Sequence, residues 1–163
     1  MTTSGAPGGG RWPLYLGVGV AVLLLIAGAI YSPLPVANLT VKPEPGCDLS
    51  RHSCSARLPG DASLRLSVTP RPIPTSAPLR IELELAGIDP LTIESVEVDF
   101  AGESMNMGYN RVRLKPVADG RHAAEGSLPV CITGSMVWVA NVLIRTGRRQ
   151  IAVPFRFETG HAP

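Results

Sequence analysis

Charged and aromatic residues are both scarce in this chain of 163 residues, at 17% and 5% of the sequence. The formal net charge of +2 is too small to indicate nucleic-acid binding, which is associated with a strongly basic surface. The sequence contains no Gly-rich phosphate loop and no G-x-S-x-G, H-E-x-x-H or Cys-x-x-Cys. These absences give no support to nucleotide-dependent, hydrolytic, zinc-dependent or thioredoxin-like catalysis. We therefore expect a protein that is not an enzyme and has no nucleic-acid partner.

One long segment contains no charged residue at all. Residues 12–31 read WPLYLGVGVAVLLLIAGAIY, and twenty helical residues span about 30 Å, the thickness of the hydrocarbon core of a bilayer. We predict a transmembrane anchor over 12–31, preceded by a cytoplasmic tail over 1–11. A cleaved signal peptide is the alternative, because Ala27-Gly28-Ala29 offers small residues to a peptidase, but the apolar run exceeds the usual length of about 7–15 residues. Both interpretations place the rest of the chain outside the cytoplasm.

Apolar and polar residues alternate along much of the remaining chain, as in β-strands that bury one face. Residues 79–85 (LRIELEL) show the pattern clearly. The alternation changes phase between Ile93 and Val96, which predicts a bulge or a bend, and a short strand is predicted to end at Pro116. The chain has 17 Gly and 16 Pro, residues that are typical of turns, so we expect turns to be frequent. Six or seven strands predict an all-β fold, an immunoglobulin-like antiparallel β-sandwich over 63–158 with one N-terminal transmembrane helix.

Cysteines are few and odd in number. Cys47 and Cys54 are seven residues apart, so the loop between them can close as a disulfide in an oxidising compartment. We assign this loop to a linker over 32–62 and the last residues, 159–163, to a tail. Cys131 is then left over, either as a small buried hydrophobe or as a ligand or reactive thiol.

Methionine is the other source of sulfur. Met105 and Met107 are spaced i, i+2, so both thioethers point to one face if the segment is extended. Thioethers and thiolates are soft ligands that select Cu(I). Met105, Met107 and Cys131 would together make a trigonal Cu(I) site. The alternative is that the methionines, of which Met136 is the only other internal one, fill gaps in the core.

A longer pattern includes these residues. It consists of MNMGYN at 105–110, VRL at 112–114, DGRH at 119–122, GSLPVC at 126–131 and a strand over 136–144. This pattern is similar to that of the YtkA/FixH-like family, whose members carry a Met-x-Met-Gly segment, a Gly-Arg-Tyr turn and a Leu-Pro lead into a late strand. The resemblance implies a small exported or membrane-anchored β-sandwich protein associated with copper handling and the assembly of cytochrome oxidase.

The resemblance also implies a location and partners. The chain would cross the bacterial inner membrane once and hold its C-terminal domain in the periplasm. It would assist copper delivery to a membrane respiratory complex, or assembly of that complex, with the complex or a Sco-type copper chaperone as its partner. His122 stands where the family often has an aromatic residue, and we expect His52, His122 and His161 each to be solvated rather than ligands. Two alternatives are a metal-free structural or interaction subunit and a thiol–disulfide protein in which Cys131 attacks a Cys47–Cys54 bond.

Overall fold

The structure, a computed structural model, describes residues 12–31, 37–129, 135–147 and 149–159. The chain divides into two compact units, Met1–Pro35 and Val36–Pro163. The predicted cytoplasmic tail over 1–11 lies outside the described residues. So do residues 160–163 of the predicted C-terminal tail, while Thr159 belongs to the last strand and is buried.

The described residues of the first unit form one helix, α1. It begins at Trp12 and ends at Tyr31, the bounds predicted from the uncharged run. In the part of the chain that the structure describes, no helix combines the length and the hydropathy that crossing a membrane requires. The membrane anchor over 12–31 therefore stays a prediction.

The second unit consists of β-strands, nine of them in its described residues. Their bounds are β1 Ala37–Thr40, β2 Cys54–Arg57, β3 Ser63–Thr69, β4 Leu79–Ala86, β5 Ile93–Gly102, β6 Arg111–Ala118, β7 Arg121–Gly126, β8 Met136–Thr146 and β9 Arg149–Thr159. A 3₁₀ helix, Pro90–Thr92, precedes β5 and is capped by the Asp89 carboxylate, which accepts a hydrogen bond from the Leu91 N–H at 3.0 Å.

The nine strands form one sheet in the order β1-β9-β8-β5-β6-β7-β4-β3-β2. β6 joins the two halves of the sheet because it changes partner along its length: residues 111–114 pair with β5, and residues 115–118 with β7. Side chains from both halves, such as Leu66 from one and Trp138 and Phe155 from the other, belong to one hydrophobic cluster. These observations confirm the all-β fold, while the immunoglobulin-like sandwich stays a prediction.

The structure corrects the linker that was predicted over 32–62. β1 and β2 both lie in this segment, β1 paired with β9 and β2 with β3 at the two edges of the sheet. All four residues of β1 are exposed, and β2 buries only Cys54 and Ala56. Neither strand has the alternation of large apolar residues on which the prediction depended.

β5 confirms the predicted irregularity, and β6 corrects a predicted strand end. The register of β5 against β8 shifts between Ile93 and Ser95, close to the change of phase in the sequence. β6 does not end before Pro116 but continues to Ala118. Proline lacks the N–H that a ladder requires, and it is accommodated because the register of β6 against β7 shifts beside it, between Pro116 and Ala118.

Candidate functional site

The two predicted methionine ligands lie in the connection between β5 and β6, residues 103–110. Hydrogen bonds hold this connection to the sheet at both ends. The Glu103 N–H donates to the Val137 carbonyl at 3.0 Å, and the Phe100 N–H donates to the Asn110 carbonyl at 3.0 Å. The connection is therefore tied to both β5 and β8.

Two asparagine side chains fix the backbone within the connection. The Asn106 Oδ1 accepts a hydrogen bond from the Gly108 N–H at 2.9 Å. The Asn110 Nδ2 donates to the Met107 carbonyl at 2.9 Å. Gly108 has a φ of 77°, a conformation that glycine adopts without the steric cost that a Cβ brings. The Met-Asn-Met-Gly sequence thus supplies both the residues that form the turn and the two methionines that the turn holds.

Gly102, the last residue of β5, is the point at which three methionines approach one another. A Cβ added to Gly102 would lie 2.6 Å from the Met105 carbonyl oxygen, 2.6 Å from the Met136 Cε and 3.1 Å from the Met107 Cγ. The absence of a side chain at position 102 therefore allows the backbone of Met105 and the side chains of Met107 and Met136 to meet there. We call Gly102, Met105, Met107 and Met136 the methionine rim.

The three methionines of this rim differ in exposure. Met105 is 41% exposed, Met107 is half-buried and packs against the core, and Met136 is 5% exposed. The prediction that Met105 and Met107 share one face assumed an extended strand, but the structure places both in the connection between strands. No ligand role is predicted for Met136 from the sequence. Its position at the start of β8, the strand paired with β5, is what brings it to Gly102.

The third predicted ligand, Cys131, lies outside the described residues. The chain on either side of this gap is described. The Leu128 carbonyl accepts a hydrogen bond from the Ser76 N–H at 2.9 Å, and β8 begins at Met136. The structure therefore brings Met107 and Met136 together and provides no test of Cys131.

Cys47 and Cys54 form a disulfide with their Cα atoms 5.5 Å apart, which confirms the pairing that the sequence allows. Cys54 is 2% exposed and belongs to the hydrophobic cluster, so the bond ties the loop to the core. Within the loop, the Ser50 hydroxyl donates to the Asp48 carboxylate at 2.6 Å, and this hydrogen bond lowers the pKa of Asp48 below its usual value. Attack on the disulfide by Cys131 is untested.

The described charged side chains near the methionine rim form ion pairs. Within the described ranges, no three His, Cys, Asp or Glu side chains are grouped so as to hold a metal ion. Charges near the rim pair with one another instead: Arg156 with Glu103, and Arg111 with Asp99 at 3.2 Å, while the Arg111 guanidinium carbon lies 5.3 Å from the centre of the Tyr109 ring. The side chains of the rim methionines carry thioethers, which suit a soft ion such as Cu(I).

The histidines have different environments. His52 is exposed, as expected from the sequence. His122 is 8% exposed, so the expectation that it is solvated is wrong. The reason is that β7, the strand containing it, has few large apolar residues, and the sequence did not show which of its faces is buried. His161 lies outside the described residues.

The chain was also compared with known proteins. No family model matches the sequence, and no curated protein matches it. The likeness to the YtkA/FixH-like family stays a prediction.

Proposed function

We propose that this chain is a membrane-anchored, exported accessory protein that binds Cu(I) and takes part in copper delivery to, or assembly of, a respiratory oxidase. The observation that carries this proposal is the approach of Met107 and Met136 to one point beside Gly102, with the Met105 backbone against the same point. Methionine sulfur is a neutral, soft ligand, and copper in its +1 state prefers such ligands.

The proposed ligand set consists of Met105, Met107 and Cys131, with Met136 as an added candidate. Cys131 would supply the one anionic sulfur, because the other two cysteines are joined to each other. A thiolate beside thioethers would balance the charge of Cu(I), and a bound metal favours the deprotonated thiol. The proposed complex would thus be neutral overall, which suits a site partly buried against an apolar core.

Two features support the proposed location. The helix α1 is twenty residues long, and described apolar side chains such as Leu24 and Leu25 are 68% and 75% exposed. Such surface is stable in hydrocarbon and costly in water. The Cys47–Cys54 disulfide is typical of an oxidising compartment such as the bacterial periplasm. We therefore propose a single-pass protein of the inner membrane whose nine-stranded unit is periplasmic.

We further propose that the nine strands form an immunoglobulin-like sandwich. Support comes from β6, whose two segments pair with different halves of the sheet, and from the single hydrophobic cluster to which both halves contribute. Two sheets that cover one core from opposite sides would produce this combination.

The test is a Cu(I) titration of the full chain in lipid nanodiscs against a chelator of known affinity, without oxygen. The variants are Met105→Leu, Met107→Leu, Met136→Leu and Cys131→Ser. Leucine nearly keeps the volume of methionine and removes the sulfur. Each ligand variant is expected to bind Cu(I) at least about tenfold more weakly, a loss of about 1.4 kcal/mol.

The control is Leu91→Ala, because Leu91 is 94% exposed and lies next to the opposite end of β5 from Gly102. This control should compete with the chelator as the unmodified chain does. A combined variant lacking all four sulfurs that also competes like the unmodified chain would refute copper binding at this rim.

A metal-free structural or interaction subunit of a respiratory complex is the second candidate. It is favoured by Gly17 and Gly19 of α1, at each of which an added Cβ would meet no heavy atom within 4 Å. Small residues of this kind let another membrane helix approach closely. If Gly17→Leu and Gly19→Leu reduce recovery of an oxidase from solubilised membranes, and the sulfur variants neither reduce it nor change Cu(I) binding, this second candidate is correct.

A further inference from the structure

A cleft opens where β5 and β6 separate. Toward the start of β5 and the end of β6, the last residues that pair are Val96 and Leu114. Beyond them, β6 pairs with β7, beginning with Lys115 and Ala123. The first residues of β5 are paired on the β8 side, and no described strand pairs with them on the other side. The resulting cleft has a volume of about 510 Å³, which is within the range of small-molecule sites, about 300–1,000 Å³.

The floor and walls of this cleft are mostly apolar. Ile93 and Val96 of β5 and Leu114 and Pro116 of β6 line it. Pro116 lies two residues after the buried Leu114, on the same face of β6 as Leu114, yet it is exposed. The face of β6 that is buried at Leu114 is therefore exposed at Pro116, two residues further along the strand. A ligand that enters here would pack on aliphatic surface.

His122 is the one polar side chain lining the cleft that is more than nine-tenths buried, with 8% of its surface exposed. It pairs across the sheet with Leu83 on one side and Pro116 on the other. Its Nδ1 atom is enclosed and has no hydrogen-bond partner among the described residues. Burial lowers the pKa of His122, so the imidazole is neutral at neutral pH. A buried polar atom without a partner is costly, on the order of 1–3 kcal/mol.

The charges that line the cleft do not select an ion. Glu94 and Asp119 are acidic, and Arg113 and Lys115 are basic. All four are exposed, so water screens them. Two charges of each sign produce no net attraction for an anion or a cation, and the buried group is uncharged.

We propose that this cleft binds an uncharged small molecule with a compact ring or branched aliphatic body and one hydroxyl group, which hydrogen-bonds to the imidazole of His122. A neutral imidazole has one donor and one acceptor nitrogen, and a hydroxyl can both donate and accept. The hydroxyl group can therefore hydrogen-bond to either tautomer of the imidazole. The apolar body of the ligand would cover Ile93 and Leu114. The cleft lies at the opposite end of β5 from Gly102, so this site is separate from the proposed copper site.

The test uses a matched pair of probes, p-cresol and toluene, which differ by one hydroxyl. The full chain, with ¹⁵N-labelled histidine, is held in lipid nanodiscs and titrated to equal free concentrations of each probe in the aqueous phase. The ring nitrogens of His122 are followed by NMR, with exposed His52 as an internal reference. We expect a saturable shift at His122 with p-cresol at about 1 mM or below and at least tenfold weaker binding of toluene, while His52 does not respond.

Two variants complete the test. His122→Phe keeps a planar ring and removes both nitrogens, and it should bind the two probes equally, as judged by shifts of the Ser95 and Lys115 amides. His122→Gln keeps a neutral donor and acceptor and should restore the preference for p-cresol. No saturable binding in the unmodified chain, equal binding of the two probes, or an unchanged preference in His122→Phe would each overturn the proposal.

Discussion

The substitution Gly102→Ala tests how closely the atoms of the methionine rim pack around position 102. Gly102 is not among the glycines with positive φ, so alanine is compatible with its backbone and the effect is steric. The added Cβ would lie 2.6 Å from both the Met105 carbonyl oxygen and the Met136 Cε. The Met136 methyl group ends a flexible side chain and can move, but the carbonyl belongs to a backbone that hydrogen bonds tie down on both sides. The connection over 103–110 must therefore shift.

The magnitude follows from two opposing effects. Overpacking of this kind costs about 1–3 kcal/mol. Alanine also restricts the unfolded chain more than glycine does, which by itself raises the free energy of unfolding by about 0.4–1 kcal/mol. We expect Gly102→Ala to lower the free energy of unfolding by about 1–2 kcal/mol. On the proposed function it should also weaken Cu(I) binding, because the backbone that positions Met105 and Met107 is displaced.

The assay is urea unfolding of the full chain in nanodiscs, followed by the fluorescence of Trp138. This residue is fully buried and one of two tryptophans, so a Trp12→Phe background leaves a single signal. The matched control is Gly126→Ala, because the three heavy atoms nearest to its added Cβ all belong to side chains: a Val112 methyl group at 3.0 Å, the Ile81 Cδ1 at 3.3 Å and the other Val112 methyl group at 3.8 Å. The control should change stability by less than about 1 kcal/mol. Equal stability of Gly102→Ala and the unmodified chain would refute the steric argument.

Three further predictions concern other parts of the fold. The pKa of His122 is lowered by burial, so as the pH falls below about 6.5 the unfolded chain takes up this proton first and stability falls; His122→Phe should flatten the unfolding free energy between pH 7 and pH 5. Replacing Cys47 and Cys54 with serine removes a bond that closes a short loop, which should cost about 2–3 kcal/mol in denaturant unfolding. Thr159→Val leaves the buried Trp138 Nε1–H, which donates to the Thr159 hydroxyl at 3.1 Å, without its acceptor, and should cost about 1–3 kcal/mol by the same assay.

Each of these predictions has a control. His122→Gln also removes the titratable ring, and its unfolding free energy should show the same flattened pH dependence as that of His122→Phe; a slope like that of the unmodified chain in this variant would contradict the assignment to His122. Reducing agent should shift the unmodified chain to the stability of the serine variant and leave that variant unchanged. Thr159→Ser keeps a hydroxyl and should restore most of the stability lost in Thr159→Val.

The sequence predicts strands well where large apolar residues alternate. Such alternation located β4 and also the irregularity near Ile93, because a bulge shifts every later side chain to the other face and so leaves a visible mark in the pattern. It failed at β1 and β2, which are held by pairing with a neighbour rather than by a row of large buried side chains. It also failed at Pro116, where the tolerance for proline depends on a change of strand partner that no local pattern reveals.

The candidate site was predicted only in part, for a related reason. The Met-x-Met-Gly segment is local in sequence, so Met105 and Met107 could be singled out, but the turn that contains them was not predicted. Met136 joins it through the pairing of β5 with β8, a contact between residues more than thirty positions apart. Gly102 gave no signal of its own, since its importance lies in the atoms that a side chain would displace.

The differences in exposure at the methionine rim bear on what a copper site here would do. On the proposed function, Met136 at 5% exposure cannot be reached by a partner, whereas Met105 at 41% exposure can. Transfer of a soft metal requires that an incoming ligand bind before the last outgoing ligand leaves, and this requires at least one accessible position. Three buried sulfurs would suit storage, and three exposed ones would leave the ion open to solvent. The exposure of the rim increases from buried Met136 through half-buried Met107 to exposed Met105. On the proposed function, this gradient favours delivery of Cu(I) to a partner over its retention.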